Sequence, residues 1–284
     1  MNNNALEINN LSKSFKDFTL NDVTFSVPKG TVMGLIGQNG AGKTTIIKLI
    51  MNIIGKNSGN IKIFDIDNVE NEVEAKNKIG YVADEDYLYV NSNLAKSSKA
   101  FKEMFEKWSD EIFDKYVKKF DLPLKKRFYE FSKGMKTKAM LALTLAHQPD
   151  FLILDEPTAG LDPVARIEVL DILRDFVSDG EKAVLFSTHL TSDLDKIADY
   201  ITLIIDGNIK ESMSIDSVEE KYAVISGSNE SFDNKKDKYI GIRKGESSSE
   251  ALILRKDSND FDNVTVSIPN IEQLLTFNIW GKDA

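Results

Sequence analysis

GQNGAGKTT, from Gly37 to Thr45, decides the fold of this 284-residue chain. The apolar run Val32 to Ile36 (VMGLI) precedes it and reads as a buried strand, while Thr44 to Ile54 carries apolar residues at helical spacing. Between strand and helix, Gly37, Gly40 and Gly42 let the backbone turn tightly and aim successive N–H groups at one point, where the positive end of the helix dipole also acts. The result is a cradle for phosphate oxygens. Lys43 then reaches the β- and γ-phosphates, and the Thr44 hydroxyl is placed to ligate Mg²⁺. A glycine turn followed by a chance Lys-Thr is the plainer reading, but it does not account for the spacing or for the strand before and helix after. A dinucleotide fingerprint fits worse, because the glycines do not fall as Gly-x-Gly-x-x-Gly and Lys-Thr is left unexplained. Gly37, Asn39, Gly40, Ala41, Gly42, Lys43, Thr44 and Thr45 are therefore the expected nucleotide contacts.

FLILDEP, Phe151 to Pro157, supplies the second element. Its uninterrupted apolar stretch, Phe151 to Leu154, suits a central parallel strand covered on both faces. Asp155 then falls at the carboxyl end of that strand, where ligands of open α/β sheets gather. A carboxylate there can hold Mg²⁺ through water, and Glu156 can orient and deprotonate a water that attacks the γ-phosphate. Alone, an Asp-Glu pair after a strand reads as a solvated loop. Beside the glycine loop it reads as the other half of a catalytic edge.

With these motifs in order, the chain from about Leu6 to Gly207 resembles the ATPase subunits of ABC (ATP-binding cassette) transporters. Phe15 stands where that family has an aromatic that stacks on adenine. Ser132-Lys133-Gly134-Met135 takes the place of the Ser-Gly-Gly-Gln signature, Ala159-Gly160-Leu161-Asp162 follows the catalytic carboxylate, and Ser187-Thr188-His189 ends in the switch histidine. The resemblance implies ATP and Mg²⁺ as ligands and a head-to-tail pair of cassettes, homo- or heteromeric. In such a pair Ser132, Gly134 and Met135 of one copy complete the ATP site of the other. It also implies a separately encoded, multi-span membrane permease that docks beside a helical subdomain. Ser-Lys-Gly-Met is similar to the variants of bacterial drug, lantibiotic and peptide exporters. The usual glutamine is absent: Tyr81-Val82-Ala83 leads into Asp84, which is assigned to Mg²⁺ or the attacking water in its stead. His189, at the end of the apolar strand Ala183 to Phe186, is assigned to the γ-phosphate, whereas His147 at a helix end reads as structural.

The expected fold is α/β: a P-loop NTPase core over residues 1–212, a helical subdomain inserted at about 86–146, and a small α+β accessory unit at 213–284. Within the insert, Phe101, Met104, Phe105, Trp108, Ile112, Phe113, Tyr116 and Phe120 recur at helical spacing and read as a core stripe. In the last segment, Tyr222–Ser226, Tyr239–Arg243, Ala251–Arg255 and Val264–Ile268 read as short strands. The polar SGSNESFDNKKDK reads as turns or mobile loop, and Pro269 to Phe277 as a closing helix.

Composition narrows the function. Asp and Glu outnumber Lys and Arg by 45 to 36, a formal charge of −9, which argues against nucleic acid as a partner. With no cysteine there are no disulfides or thiolate metal sites, as suits the cytoplasm. Asn2 to Asn4 is polar and opens no signal peptide, and no apolar run approaches the ~20 residues that span a bilayer. The expected place is the cytoplasmic face of the cell membrane. A soluble ABC ATPase with no membrane partner, and a regulatory subunit that holds ATP without turning it over, are the alternatives.

Overall fold

The computed structural model describes residues 3–84, 88–232 and 235–281. The expected start of the insert at Asp86, together with Glu85, lies outside them. The first half of the chain runs β1 (Asn4–Ser14), β2 (Thr19–Pro28), β3 (Val32–Ile36), α1 (Lys43–Ile50), β4 (Ser58–Ile63), β5 (Ile66–Asp67), α2 (Glu72–Lys78) and β6 (Ile79–Val82). The insert follows as α3 (Leu94–Met104), α4 (Asp110–Lys119) and α5 (Lys133–Ala146). The chain then returns to the sheet with β7 (Phe151–Asp155), α6 (Pro163–Val177), β8 (Ala183–Thr188), α7 (Thr191–Ile197), β9 (Tyr200–Ile205) and β10 (Asn208–Ser214). The last elements are α8 (Ile215–Lys221), β11 (Tyr222–Ser228), β12 (Tyr239–Lys244), β13 (Ser248–Leu254), β14 (Val264–Ser267) and α9 (Ile271–Trp280).

A six-stranded sheet, ordered β10-β9-β3-β8-β7-β6, forms the centre, parallel except for the edge strand β10. Every residue of β3, β7 and β8 is buried. That is why these strands read as unbroken apolar runs rather than alternating ones: one face packs on helices and the other on the second sheet, β2-β1-β4-β5.

Apolar residues of the insert converge as the spacing predicts, with one exception. Phe113 and Phe120 are buried, and Phe101, Trp108, Ile112 and Tyr116 pack against the same core. Met104, the last residue of α3, does not join them and is 69% exposed. His147 closes α5, stacked on Phe105 with ring centroids 4.1 Å apart.

The antiparallel C-terminal sheet is ordered β12-β13-β11-β14, with each strand within a few residues of its expected span. β10 extends through Ser214, past the boundary expected at 212, with Met213 and Ser214 paired to Ile201 and Tyr200 of β9. The described part of the polar SGSNESFDNKKDK stretch is more regular than its composition suggests. It folds into short 3₁₀ turns at Asn229–Phe232 and Lys236–Lys238, since Phe232 buries against Tyr239 and Phe261. Asp233 and Asn234 lie outside the described residues. The closing helix begins at Ile271, two residues after Pro269, and Asn270 caps it in a capping box with Gln273. It lies so close over β12 that a Cβ at Gly241 would come within 2.0 Å of the Phe277 carbonyl oxygen. Among the described residues no helix is long and apolar enough to cross a membrane.

His147 yields a prediction about stability. Burial holds its imidazole down to about 4, against 6.5 for a free histidine. Between those values the unfolded chain binds a proton that the folded one does not. The stability from this neutral packing is therefore complete above about pH 6.5 and drains away as pH falls toward 4. Replacing His147 by Asn should remove about 3 kcal/mol of the acid-side loss between pH 7 and 4. Urea unfolding of both proteins at the two pH values reads the difference, and equal losses would refute the assignment.

Candidate active site

The loop between β3 and α1 takes the shape its glycines require. Gly40 and Gly42 have φ of 84° and 114°, in the left-handed region that other residues avoid. Gly42 is also the N-cap of α1 and offers no side-chain acceptor, so the first amides of that helix remain for a ligand. Lys43 is buried, and its ammonium donates back to the loop's own carbonyls, at 2.7 Å to Gly37 and 3.2 Å to Gln38. Burial lowers its pKa, while the charges of Glu156 and Asp155 act in the opposite sense.

Across from the loop, Asp155 ends β7 and is almost fully buried. One carboxylate oxygen accepts from the Thr44 hydroxyl at 2.9 Å, the other from the Ser187 hydroxyl on β8. Glu156 follows in the left-handed region, φ 52°. For a non-glycine residue that conformation costs about 1 kcal/mol, and it persists only where the surroundings enforce it. Here its N–H donates to the Ser187 carbonyl at 2.9 Å. Its carboxylate accepts from the Thr188 hydroxyl at 3.2 Å and lies 2.8 Å from His189 Nδ1. The Glu156 side chain is well covered, whereas that of His189 is 49% exposed.

A cavity of about 220 Å³ lies between these parts, lined by Asn39, Gly40, Gly42, Lys43, Thr44, Thr45, Asp84, Glu156 and Phe18. Gly37 and Ala41 are buried beneath it: a Cβ at Gly37 would fall 2.5 Å from the Ile204 carbonyl oxygen. They shape the loop rather than line the cavity. Phe15 does not line it either. Phe15 is 45% exposed, its ring 6.4 Å from that of Phe18, and of the two only Phe18 lines this cavity. Ser132 caps α5, its hydroxyl accepting from the Met135 N–H at 3.2 Å. Gly134 abuts Leu161, and Met135 packs against the core. None of the three borders this cavity. Sequence reasoning passed over Ser187 and Thr188 as contributors, although both stand beside His189; hydroxyls at a strand end opposite two carboxylates were the available signal.

Thr44 and Asp155 present two adjacent oxygen donors, which suit a hard divalent cation such as Mg²⁺. Among the described residues no group of three or more His, Cys, Asp or Glu could hold a metal by itself. A cation here would complete its shell with phosphate oxygens and water.

A sheet edge that sets a phosphate cradle against a carboxylate pair is the working edge of a P-loop nucleoside triphosphatase, and this chain's relatives narrow the class. The ABC transporter family model matches residues 20–159. Over 222 residues the chain is 37% identical to the lantibiotic transport ATP-binding protein SrtF of Streptococcus pyogenes, covering 76% of this chain and 95% of that protein. It is 29% identical over 220 residues to the bacitracin transport ATP-binding protein BcrA of Enterococcus faecalis, covering 76% and 71%. A solved ATP-binding subunit of an ABC transporter superposes with a TM-score of 0.70 at 27% identity, over 76% of this chain and 92% of that one. The chain belongs to the ATP-binding subunits of ABC transporters, ATPases coupled to transport.

Replacing Lys43 by Ala should weaken ATP binding by roughly 10- to 100-fold, the usual worth of hydrogen bonds to a charged group. Equilibrium titration with MgATP checks this, and unchanged affinity would count against the loop as the phosphate site.

Proposed function

We propose that this chain hydrolyses MgATP in a pair of cassettes and drives export of a peptide-antibiotic or drug-like cargo through a separate multi-span permease. The observation that carries the hydrolytic part is the Glu156–His189 contact at 2.8 Å beside the phosphate loop. Glu156 acts as general base on the attacking water, held in place by Thr188 and by its own constrained backbone. His189 keeps that carboxylate oriented and turns its exposed ring toward the γ-phosphate. Mg²⁺, when bound at Thr44 and Asp155, neutralises charge on the phosphates. Asp84, on the cavity wall, is a further candidate for that cation or for the water.

The shared-site reading is supported by what the cavity lacks. Ser132, Gly134 and Met135 stand apart from it, at the N-terminus of α5, where the helix dipole favours a phosphate brought by another copy. An apolar recess of about 290 Å³, lined by residues including Tyr81, Leu88, Phe101 and Met140, lies at the base of the Asp84 segment and suits a short helix of the permease. On this reading the chain works at the cytoplasmic face of the membrane, with residues 213–284 as an accessory unit. The names of the lantibiotic and bacitracin transport relatives support this cargo class.

Glu156→Gln should lower ATP turnover by ~10²–10⁴, the usual contribution of a positioned base, while ATP still binds. In that variant MgATP should also shift the protein from monomer to dimer in sedimentation. Full turnover would remove Glu156 as the base, and a monomer saturated with ATP would remove the shared site.

A further inference from the structure

The cavity lining contains a contradiction in charge. A triphosphate is a polyanion, yet Asp84 and Glu156 both line the pocket, Asp155 lies just behind, and Lys43 is the cation among the described lining residues. Glu156 and Asp155 have catalytic and metal-binding work that needs their charge. Asp84 stands where the family resemblance calls for a neutral glutamine.

Lys133 resolves this. It is the first residue of α5, distant in sequence, and its ammonium donates to Asp84 Oδ1 at 2.9 Å. A second observation shows that this reach is built in. The aliphatic stem of Lys133 passes over Gly160, in the loop after Glu156, where an added Cβ would come within 3.3 Å of Lys133 Cδ. Gly160 has φ 76°, in the left-handed region that favours glycine. Three segments that are far apart in the chain thus converge to bring one ammonium against one carboxylate. Asp84, Lys133 and Met135 are the places where this sequence leaves the family pattern at the site, and the first two are each other's partners.

We propose that Lys133 is a positioning residue of the ATP site: paired with Asp84, it cancels the charge that would otherwise repel the incoming triphosphate. Both side chains are about half exposed, so the pair itself adds little to folding stability. Its effect falls on ligand charge, and it rests on the phosphate cavity being the MgATP site.

The test compares Lys133→Ala, Lys133→Arg, Asp84→Asn and the Asp84→Asn/Lys133→Ala double variant in the full-length protein. Binding of MgAMP-PNP and MgADP is measured beside ATPase kcat and KM. Lys133→Ala should weaken MgAMP-PNP binding and raise KM by about 3- to 10-fold, with a smaller change in kcat. MgADP, with less charge, should suffer less, and the penalty should shrink at about 0.5 M salt. Lys133→Arg should stay near wild type, and adding Lys133→Ala to Asp84→Asn should change MgAMP-PNP affinity by less than about twofold relative to Asp84→Asn alone. Unchanged binding in Lys133→Ala would overturn the proposal. So would an undiminished loss when Lys133→Ala is added to Asp84→Asn, since Lys133 would then touch the nucleotide directly. Wild-type protein that fails to bind MgAMP-PNP would sink the cavity reading as well, whereas a silent Lys133→Ala with normal wild-type binding sinks this inference alone.

Discussion

Parallel registry among three adjacent strands governs the nucleotide edge. Ile36 on β3 pairs with Thr188 on β8, and Ser187 on β8 pairs with Asp155 on β7. The residues that follow these pairs are Gly37, His189 and Glu156, so one hydrogen-bonding ladder brings the phosphate loop, the histidine and the base to a common line. A strand slipped by one residue would turn Asp155 toward the opposite face and separate it from Thr44. The complete burial of all three strands makes such a slip costly.

That edge is electrostatically loaded before any ligand arrives. The ammonium of Lys43 lies buried on loop carbonyls, facing the fields of two carboxylates, and the hydroxyls of Thr44, Ser187 and Thr188 take up the oxygens of those carboxylates. Preorganised donors of this kind need little rearrangement at the moment of reaction. Asp84 and Lys133 continue the pattern on the outer wall, where an added negative charge comes with its own counter-ion.

Much of this was legible in the residues. The loop spacing, the apolar run ending in Asp155 and the short strands of the last segment each declare themselves through local pattern, because turn chemistry and burial on both faces leave marks within a few residues. What was hidden depends on approach across the fold. Phe18 and Phe15 are three residues apart on one turn, and nothing local says which ring faces the cavity. Phe232 sits in a polar stretch, and its burial is set by Tyr239 and Phe261 rather than by its neighbours. The Lys133–Asp84 contact joins positions 49 residues apart, and only the path of the stem over Gly160 reveals it. Met104 followed the helical period but fell at the end of its helix, where periodicity no longer implies burial.

The docking of α9 has a consequence for any attempt to divide the chain. Ile271, Leu274 and Phe277 belong to the same hydrophobic cluster as Leu194 and Ile197 of α7, and the Ile271 N–H donates to Asp195 on that helix. Val218, Tyr222 and Val224 join the cluster from the start of the C-terminal unit. A truncation at Ser214 would therefore not release a clean catalytic fragment. It would strip the lid from a greasy seam and leave the short helix that follows His189 without its support, so the appendage is part of the keel rather than cargo on deck.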